Sequence, residues 1–250
     1  MCVIVRNDEH ETSFNEGVRN RVRILKADLA IKEQVEEVAQ KIQDIAKTTT
    51  REIALVTCSG IVNSAPTDCP DWDAFERTFK INALSPFRLS QAIIPIMRET
   101  GSGRIIHLSS VEGHMTFPFV SAYSASKHAL EAVCSALRLE NHQDGIQVTS
   151  IVPGFVNTPI WDKAEAIMLE QFAASRHYEL MKAIRPKFLE LGRSGLDPTR
   201  VAKSIVKVLE QKKQPARVVL VQIYLVEWVL MRIIPLRFRD WLIRKFVGLG

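Results

Sequence analysis

The sequence predicts an α/β fold with a doubly wound parallel sheet, because short apolar segments alternate with longer amphipathic ones. The short segments predict strands at Cys2–Arg6, Val22–Lys26, Ile53–Thr57, Arg104–Ser109, Gln147–Ile151 and Arg217–Val221. The longer segments predict helices at Ile31–Lys47, Trp72–Arg98, Ser121–Asn141, Lys163–Ala183 and Pro198–Gln211. In the first helix, Val35, Val38 and Ile42 recur every three or four positions, which indicates one buried face.

Composition and charge narrow the class of protein further. The 250 residues suit a single domain over positions 1–250, and a hydrophobic content of 46% is ordinary for a globular protein. The net charge of +5 suits an anionic cofactor or a membrane surface. The sequence has no basic tract interleaved with aromatic residues, the pattern that would indicate nucleic-acid binding. Four cysteines without metal-ligand or disulfide spacing favour a reducing compartment, so we expect a cytoplasmic protein, with membrane association left open.

Tyr123 and Lys127 form the most informative pair in the chain, within the run Tyr-Ser-Ala-Ser-Lys. Positions four apart share one face of a helix, so the Lys127 ammonium is expected beside the Tyr123 phenol. A neighbouring cation stabilises phenolate and would lower the pKa of Tyr123 from its usual value of about 10. A phenol tuned in this way is a suitable general acid and base, although such pairs are often only surface decoration.

Ser110 follows a predicted buried strand, thirteen residues before Tyr123. Ligands of open α/β sheets bind at the carboxyl ends of the strands. The serine hydroxyl is therefore expected at the site, where it can hold a carbonyl or alcohol oxygen next to the phenol.

With these residues, the chain resembles the short-chain dehydrogenase/reductase family over nearly its whole length, and most closely its hydroxysteroid and retinol dehydrogenases. Ser110, Tyr123 and Lys127 match the family's catalytic serine, tyrosine and lysine. The thirteen-residue offset selects Ser110 over Ser109. Asn82, in the run Lys-Ile-Asn-Ala, matches the family's helix asparagine. The resemblance implies a Rossmann-like fold and a nicotinamide-dependent interconversion of an alcohol and a ketone or aldehyde.

The resemblance also implies a role for each matched residue. Tyr123 would transfer a proton to or from the substrate oxygen, and Ser110 would donate a hydrogen bond to that oxygen. Lys127 would also hold the ribose hydroxyls of the nicotinamide nucleotide. Asn82 would fix a water that relays protons from Lys127 to solvent; alternatively, or in addition, its side chain satisfies backbone groups at a helix kink.

Further residues are implied as cofactor contacts. Pro153 and Gly154 would shape the turn after a strand, in the run Pro-Gly-Phe-Val-Asn-Thr, and Thr158 would contact the nicotinamide amide or a phosphate. Asp28 would lie beside adenine, or would instead be the N-cap of the next helix. Arg6 could pair with a 2′-phosphate, or be only a solvated charge. This favours NADP, while NAD remains possible.

Two departures from the family pattern concern the cofactor. The family begins with a strand, a glycine-rich turn and a helix that bind the pyrophosphate, but none of the eleven glycines here forms that turn. We therefore expect a sheet that lacks the first strand and helix and has two exposed strand edges. Thr57-Cys-Ser-Gly60 also replaces the usual Asn-Asn-Ala-Gly, although Gly60 still lets backbone pass close to a ribose. Two alternatives remain: a truncated enzyme, or a non-catalytic relative that acts as a binding module.

Aromatic residues near the catalytic segments predict the character of the substrate. Phe117, Phe155 and Trp161 lie in regions that form the pocket wall and lid in the family. We expect a bulky apolar alcohol or ketone, such as a steroid, a retinoid or an acyl chain, although each aromatic alone is more often core packing. A homo-oligomer is also expected.

The segment at about 222–250 is predicted to be an apolar and basic helical tail. Its first part is strongly apolar, but Gln222, Glu227 and Arg232 make it a poor membrane span. After Pro235, apolar residues fall on one helical face: Phe238, Trp241, Leu242 and Phe246. Such a helix could lie in a membrane interface, or pack on the domain or on a sister subunit.

Overall fold

Parallel strands form two sheets in the computed structural model, which describes residues 2–6, 22–49, 52–69, 71–222 and 233–248. The strands described are β1 (Cys2–Val5), β2 (Arg23–Lys26), β3 (Ala54–Thr57), β4 (Gly103–Leu108), β5 (Ile146–Pro153) and β6 (Arg217–Leu220). The helices described are α1 (Lys32–Lys47), α2 (Trp72–Phe79), α3 (Ser85–Glu99), α4 (Ser121–Glu140), α5 (Ile160–Glu165), α6 (Tyr178–Arg193), α7 (Pro198–Glu210) and α8 (Leu236–Val247). The predicted α/β class and all six predicted strands are confirmed.

The helix predictions differ from the structure in two places. A π-helical turn at Lys80–Leu84 joins α2 to α3 within the run predicted as one helix. The helix predicted at Lys163–Ala183 is wrong, because α5, a 3₁₀ turn at Leu169–Phe172 and the start of α6 occupy that segment. Leu169 and Phe172 pack with Met181 in a separate apolar cluster, which folds the segment back on itself instead of extending it as a helix.

The larger sheet has the strand order β3-β4-β5-β6, and its two faces are covered by different helices. Alternate residues of a strand point to opposite faces. Ile105 therefore packs toward α3 and α4, whereas Ile106 packs toward α7. Val148 and Ile151 of β5 divide between the same two clusters. This arrangement buries the middle of the sheet and brings the carboxyl ends of the strands to one edge.

The smaller sheet, β1-β2, is held against the rest of the described chain by a layer of helices. Val38 and Ala39 of α1 pack with Leu89 and Ala92 of α3, and strand residues from both sheets border this cluster. Polar contacts join the same helices: the Arg88 guanidinium donates to the Glu36 carboxylate at 2.7–3.0 Å. The helix layer thus spans the gap between the sheets.

That gap lies between β1 and β3. Among the residues described, β1 pairs only with β2, and β3 pairs only with β4. Within the described residues, β1 and β3 therefore each pair along one edge.

The predicted C-terminal tail is described only in part, since residues 223–232 lie outside the described ranges. Helix α8 places the side chains of Ile243 and Val247 in the core and leaves Phe238 and Trp241 exposed. Within the described ranges, no helix has the length and apolar character needed to cross a membrane.

A buried histidine joins the sheet to the helix layer beneath the site. His107 of β4 is fully buried, with Nδ1 2.6 Å from the Thr57 hydroxyl and Nε2 3.2 Å from the Ser90 hydroxyl. Burial, together with the positive charge of Lys127, lowers the pKa of His107 to about 4. The neutral imidazole therefore connects β3, β4 and α3.

We expect His107 to make the free energy of unfolding depend on pH. Its folded pKa lies below the unfolded value of about 6.5, so the unfolded chain takes up a proton first as the pH falls. The contribution of His107 to the free energy of unfolding is complete above about pH 6.5. It decreases as the pH falls toward the pKa of His107 in the folded protein, and the loss is roughly 2 kcal/mol at about pH 5. Urea unfolding of the wild type and of His107→Gln at about pH 7 and 5 measures this, and the variant should lose that part of the pH dependence. An unchanged pH dependence in the variant would contradict the prediction.

Candidate active site

Ser110 lies at the carboxyl end of β4, where the chain turns away from the sheet. Its backbone is extended, and its Oγ accepts a hydrogen bond from the backbone N–H of Glu112 at 3.1 Å, which caps the 3₁₀ turn Val111–Gly113. The hydroxyl faces the phenol of Tyr123 and stabilises the phenolate by hydrogen bonding. Ser109 lies instead on the side of Glu131. The structure therefore places Ser110, and not Ser109, beside the phenol.

Lys127 is buried on α4, one turn after Tyr123. Its Nζ donates a hydrogen bond to the backbone oxygen of Leu108 at 2.8 Å and lies 5.8 Å from the centroid of the Tyr123 ring. Burial lowers the pKa of this ammonium to about 8, and the negative charge of Glu131 opposes the decrease only in part. The predicted juxtaposition of Tyr123 and Lys127 is thus present.

The expected lowering of the Tyr123 pKa is wrong for the structure as it stands. Burial raises the pKa of Tyr123, the negative charge of Glu112 raises it further, and the hydrogen bond with Ser110 lowers it only in part. The ammonium of Lys127 is turned to the carbonyl of Leu108. At neutral pH the Tyr123 side chain is therefore a neutral phenol, which is the form that donates a proton.

Asn82 lies in the π-helical turn, fully buried, and its side chain holds the loop that follows β3. Its Oδ1 accepts from the backbone N–H of Ile61 at 2.9 Å, and its Nδ2 donates to the backbone oxygen of Ile61 at 2.9 Å and to the Ser126 hydroxyl at 3.0 Å. The amide thus satisfies backbone groups of the loop after β3. The sequence-based alternative for Asn82 had instead expected the satisfied backbone groups to lie at a helix kink. Gly60 precedes this anchor, and a Cβ there would lie 3.7 Å from Lys127 Nζ and 3.8 Å from Asn82 Oδ1.

A charged cluster surrounds Glu131, which lies one turn after Lys127 on α4. The buried Glu131 carboxylate accepts hydrogen bonds from the Arg217 guanidinium at 2.6 and 3.2 Å and from the Ser150 hydroxyl at 3.3 Å, and His114 Nε2 lies 3.2 Å away. Burial raises the pKa of Glu131, but hydrogen bonds with His114, Arg217 and Ser109, together with the charge of Arg217, outweigh burial and hold the pKa at about 2. The negative charge in turn favours the protonated form of Lys127.

Three of the four predicted catalytic residues, Ser110, Tyr123 and Lys127, line a cavity of about 680 Å³. The three predicted substrate residues all line it, and Phe155 and Trp161 pack with ring centroids 5.6 Å apart. Phe188 of α6 packs edge-on against Phe117 at 5.7 Å and lies 6.4 Å from Phe155. Phe188 was missed because the predicted helix ended at Ala183. The spacing of Met181, Ile184 and Phe188 carries the helical signal that Pro186 obscures.

Glu112 is a second lining residue that the sequence interpretation missed. It is partly buried, and its carboxylate accepts a hydrogen bond from the Ser124 hydroxyl at 2.5 Å. Burial raises its pKa to about 7, although the Ser124 hydroxyl opposes the rise. An acidic residue two positions after Ser110, just past the carboxyl end of a predicted strand, is the signal that could have identified it.

The predicted cofactor residues divide into two groups. Gly60, Pro153, Gly154 and Thr158 line the same cavity as Tyr123 and Lys127. The backbone N–H of Gly154 donates to the Leu220 oxygen at 2.8 Å, which fixes the turn after β5. This group could hold the nicotinamide and ribose end of a dinucleotide.

Arg6 and Asp28 form the other group, in the smaller sheet and away from the lining of the cavity. Asp28 accepts from Arg77 Nη2 at 2.8 Å and from the Ala30 backbone N–H at 2.9 Å. Burial raises the pKa of Asp28, but these bonds and the nearby charge of Arg6 lower it overall. The alternative interpretation of Asp28 as a helix N-cap is wrong, because Ile31 is the N-cap of α1.

We expect Glu112→Gln to lower the pKa of Tyr123 by about one pH unit, because the negative charge that opposes phenolate formation is removed. The measurement is a pH titration of the tyrosine 13Cζ resonances, which is practical because the chain has three tyrosines. Glu140→Gln is the matched control, because Glu140 is an exposed carboxylate at the end of α4, the helix that carries Tyr123. This variant should leave the titration of Tyr123 unchanged. Equal titration curves for wild type and Glu112→Gln would show that the carboxylate does not act on the phenol.

Comparison with known proteins identifies the family to which the chain is related. The family model described as short chain dehydrogenase matches residues 1–168. The chain is 37% identical over 133 residues to dehydrogenase/reductase SDR family member 7B of Danio rerio, a match that covers 53% of this chain and 39% of that protein. The chain therefore spans less than half the length of this relative.

Two further similarities extend over more of the chain. It is 26% identical over 245 residues to the NADPH-dependent 3-dehydrocapnine reductase of Ornithobacterium rhinotracheale, covering 96% of this chain and 86% of that protein. The crystal structure of a short-chain dehydrogenase from Streptomyces avermitilis has the same fold, with a TM-score of 0.72 and 24% identity over 88% of this chain and 78% of that one. Because the family model matches more than half of its residues, this chain belongs to the short-chain dehydrogenase family.

Proposed function

We propose that this protein is an NADP-dependent oxidoreductase that interconverts an alcohol and a ketone or aldehyde on a bulky apolar substrate. The observation that carries the proposal is the meeting of Ser110, Tyr123 and Lys127 in the lining of one largely apolar cavity. A proton donor, a hydrogen-bond donor for the substrate oxygen and a buried cation are the groups that carbonyl reduction requires.

The chemistry of this chain's own residues follows from their positions. The neutral Tyr123 phenol donates its proton to a substrate carbonyl oxygen as that oxygen gains charge, and Ser110 orients the oxygen by hydrogen bonding. The Ser110 hydroxyl stabilises the phenolate that remains by hydrogen bonding. In the direction of alcohol oxidation, the Tyr123 phenolate takes the proton from the substrate hydroxyl.

The residues present fit one end of the cofactor. The absence of a side chain at Gly60 leaves backbone exposed beside Lys127 Nζ, where a ribose hydroxyl can approach. When bound, NADP supplies or accepts the hydride. The name of the Ornithobacterium rhinotracheale relative supports NADP, and so does the position of Arg6 beside Asp28, because a guanidinium there can pair with a 2′-phosphate.

The residues that line the cavity favour the proposal of an apolar substrate. Phe117, Phe155, Trp161 and Phe188 form a continuous aromatic wall with ring centroids 5.6–6.4 Å apart. Gly192 allows this arrangement, since a Cβ there would collide with the Trp161 ring at 2.1 Å. A steroid, a retinoid or an acyl chain would bury enough surface against such a wall to be positioned.

A non-catalytic binding module is the second candidate, and one sequence observation favours it. The 250 residues contain no glycine-rich turn that could bind a pyrophosphate, and Thr57-Cys-Ser-Gly60 lacks the asparagines of the usual motif. On this alternative, the aromatic cavity would bind an apolar ligand without turnover. Measurements of turnover and of nucleotide binding separate the two.

We expect Tyr123→Phe, in a form of the protein that includes the family's glycine-rich segment, to reduce turnover by about 10²–10⁴-fold or more while leaving cofactor binding nearly intact, because the phenol hydroxyl carries the proton while the ring supplies the packing. The assay follows NADPH absorbance with a panel of apolar ketones and aldehydes, and circular dichroism checks the fold. Tyr178→Phe is the matched control, because Tyr178 borders the neighbouring apolar cluster and does not line the cavity. Near-normal turnover in Tyr123→Phe would exclude this residue as the proton donor.

We expect the 250-residue chain to bind NADPH and NADH weakly, because a pyrophosphate needs backbone N–H donors at close range. Placing a strand, glycine-rich turn and helix from a family member before Met1 should tighten NADPH binding and raise the thermal midpoint. Isothermal titration calorimetry of both proteins tests this. Micromolar binding by the 250 residues alone would show that another loop holds the phosphates. Restored binding without turnover would favour the binding module.

A further inference from the structure

Helix α8 presents an aromatic pair to solvent. The rings of Phe238 and Trp241 stack with centroids 5.3 Å apart and an interplanar angle of 20°. Their side chains are 50% and 42% exposed, and Leu236, at the start of the helix, is 60% exposed. On the opposite side of the helix, Ile243 and Val247 are buried. The exposed pair is thus distinct from the face that holds the helix to the rest of the described chain.

Basic side chains flank the aromatic pair. Within α8 there are four basic residues and one acidic residue, Asp240. Arg237, Arg244 and Lys245 are exposed on the same side as the pair, and Lys245 Nζ lies 4.9 Å from the centroid of the Trp241 ring. The exposed side of the helix therefore combines large aromatic rings with positive charge.

The helix is held in a fixed orientation by contacts at its end. Phe246 packs 6.4 Å from Phe117 and 6.2 Å from Phe188, measured between ring centroids. Lys187 Nζ donates to the Phe246 backbone oxygen at 3.0 Å and lies 3.6 Å from the centroid of its ring. Because these contacts lie on the domain side, they leave Phe238 and Trp241 facing outward.

We propose that the exposed face of α8, formed by Phe238, Trp241, Arg237, Arg244 and Lys245, binds the surface of an anionic phospholipid membrane. Aromatic rings favour the interfacial region of a bilayer, and flanking basic residues gain electrostatic energy from anionic headgroups. A second copy of this chain is a poorer occupant, because a symmetric pairing of this face would bring its basic side chains together. The proposal is independent of the catalytic activity.

The test is co-sedimentation of the full chain with phosphatidylcholine vesicles and with vesicles that also contain phosphatidylserine. We expect binding to the phosphatidylserine vesicles that weakens as salt is added, and much weaker binding to phosphatidylcholine alone. Phe238→Ala with Trp241→Ala should reduce binding roughly tenfold or more, because the rings no longer enter the interface. Arg244→Gln with Lys245→Gln should reduce binding by about fivefold for each charge removed.

Trp72→Ala is the matched control, because Trp72 is also an exposed ring, stacked on Phe75 at 6.0 Å, but lies on α2. Circular dichroism and the thermal midpoint check the fold of each variant, and the charge variant alters only exposed side chains. The proposal is overturned by absence of binding to phosphatidylserine vesicles, by wild-type binding in both α8 variants, or by an equal loss in Trp72→Ala. Concentration-dependent self-association that both α8 variants abolish, without vesicle binding, would instead identify a contact between copies.

Discussion

The hydrogen bond from the Lys127 ammonium to the Leu108 carbonyl oxygen fixes the position of the candidate active site. It joins the middle of α4 to the last residue of β4, so the helix cannot slide along the edge of the sheet without leaving a buried ammonium unpaired. Such a group would cost several kcal/mol, far more than a typical surface contact contributes. Tyr123, one turn earlier on the helix, is thereby placed opposite Ser110, and Glu131, one turn later, reaches Arg217 of β6.

Asn82 provides the second fixed point, on the other side of Lys127. A π-helical turn inserts an extra residue into a helix and turns a side chain that an α-helix would direct elsewhere. Here the inserted turn directs the Asn82 amide at both backbone groups of Ile61 and at the Ser126 hydroxyl. The loop after β3 is therefore tied to the same helix that carries Tyr123 and Lys127, and Gly60 is held against the ammonium.

The sequence predicts the parts of this structure that depend on local pattern. Alternating apolar segments locate every described strand, and the spacing of Tyr123 and Lys127 predicts their shared helix face. The pKa of Tyr123 could not be predicted in this way, because it depends on burial and on Glu112, which the chain brings close only after folding. Phe188 was likewise missed, since its place in the cavity wall depends on how α6 packs rather than on its neighbours in sequence. Local pattern thus identifies the proposed reacting groups, and tertiary packing decides their electrostatics.

The two groups of proposed cofactor residues belong to different sheets, so their separation depends on what holds the sheets together. The exposed ion pair of Arg88 with Glu36 adds little, because water and salt screen it. The apolar cluster of Val38, Ala39, Leu89 and Ala92 excludes water, and burying a side chain of the size of valine or leucine contributes about 1.5–3 kcal/mol. The packing of α1 on α3 therefore sets the distance between Asp28, beside Arg6, and the cavity that contains Lys127. A substitution that opened this helix contact would move the proposed adenine end of the site while leaving the proposed catalytic end in place.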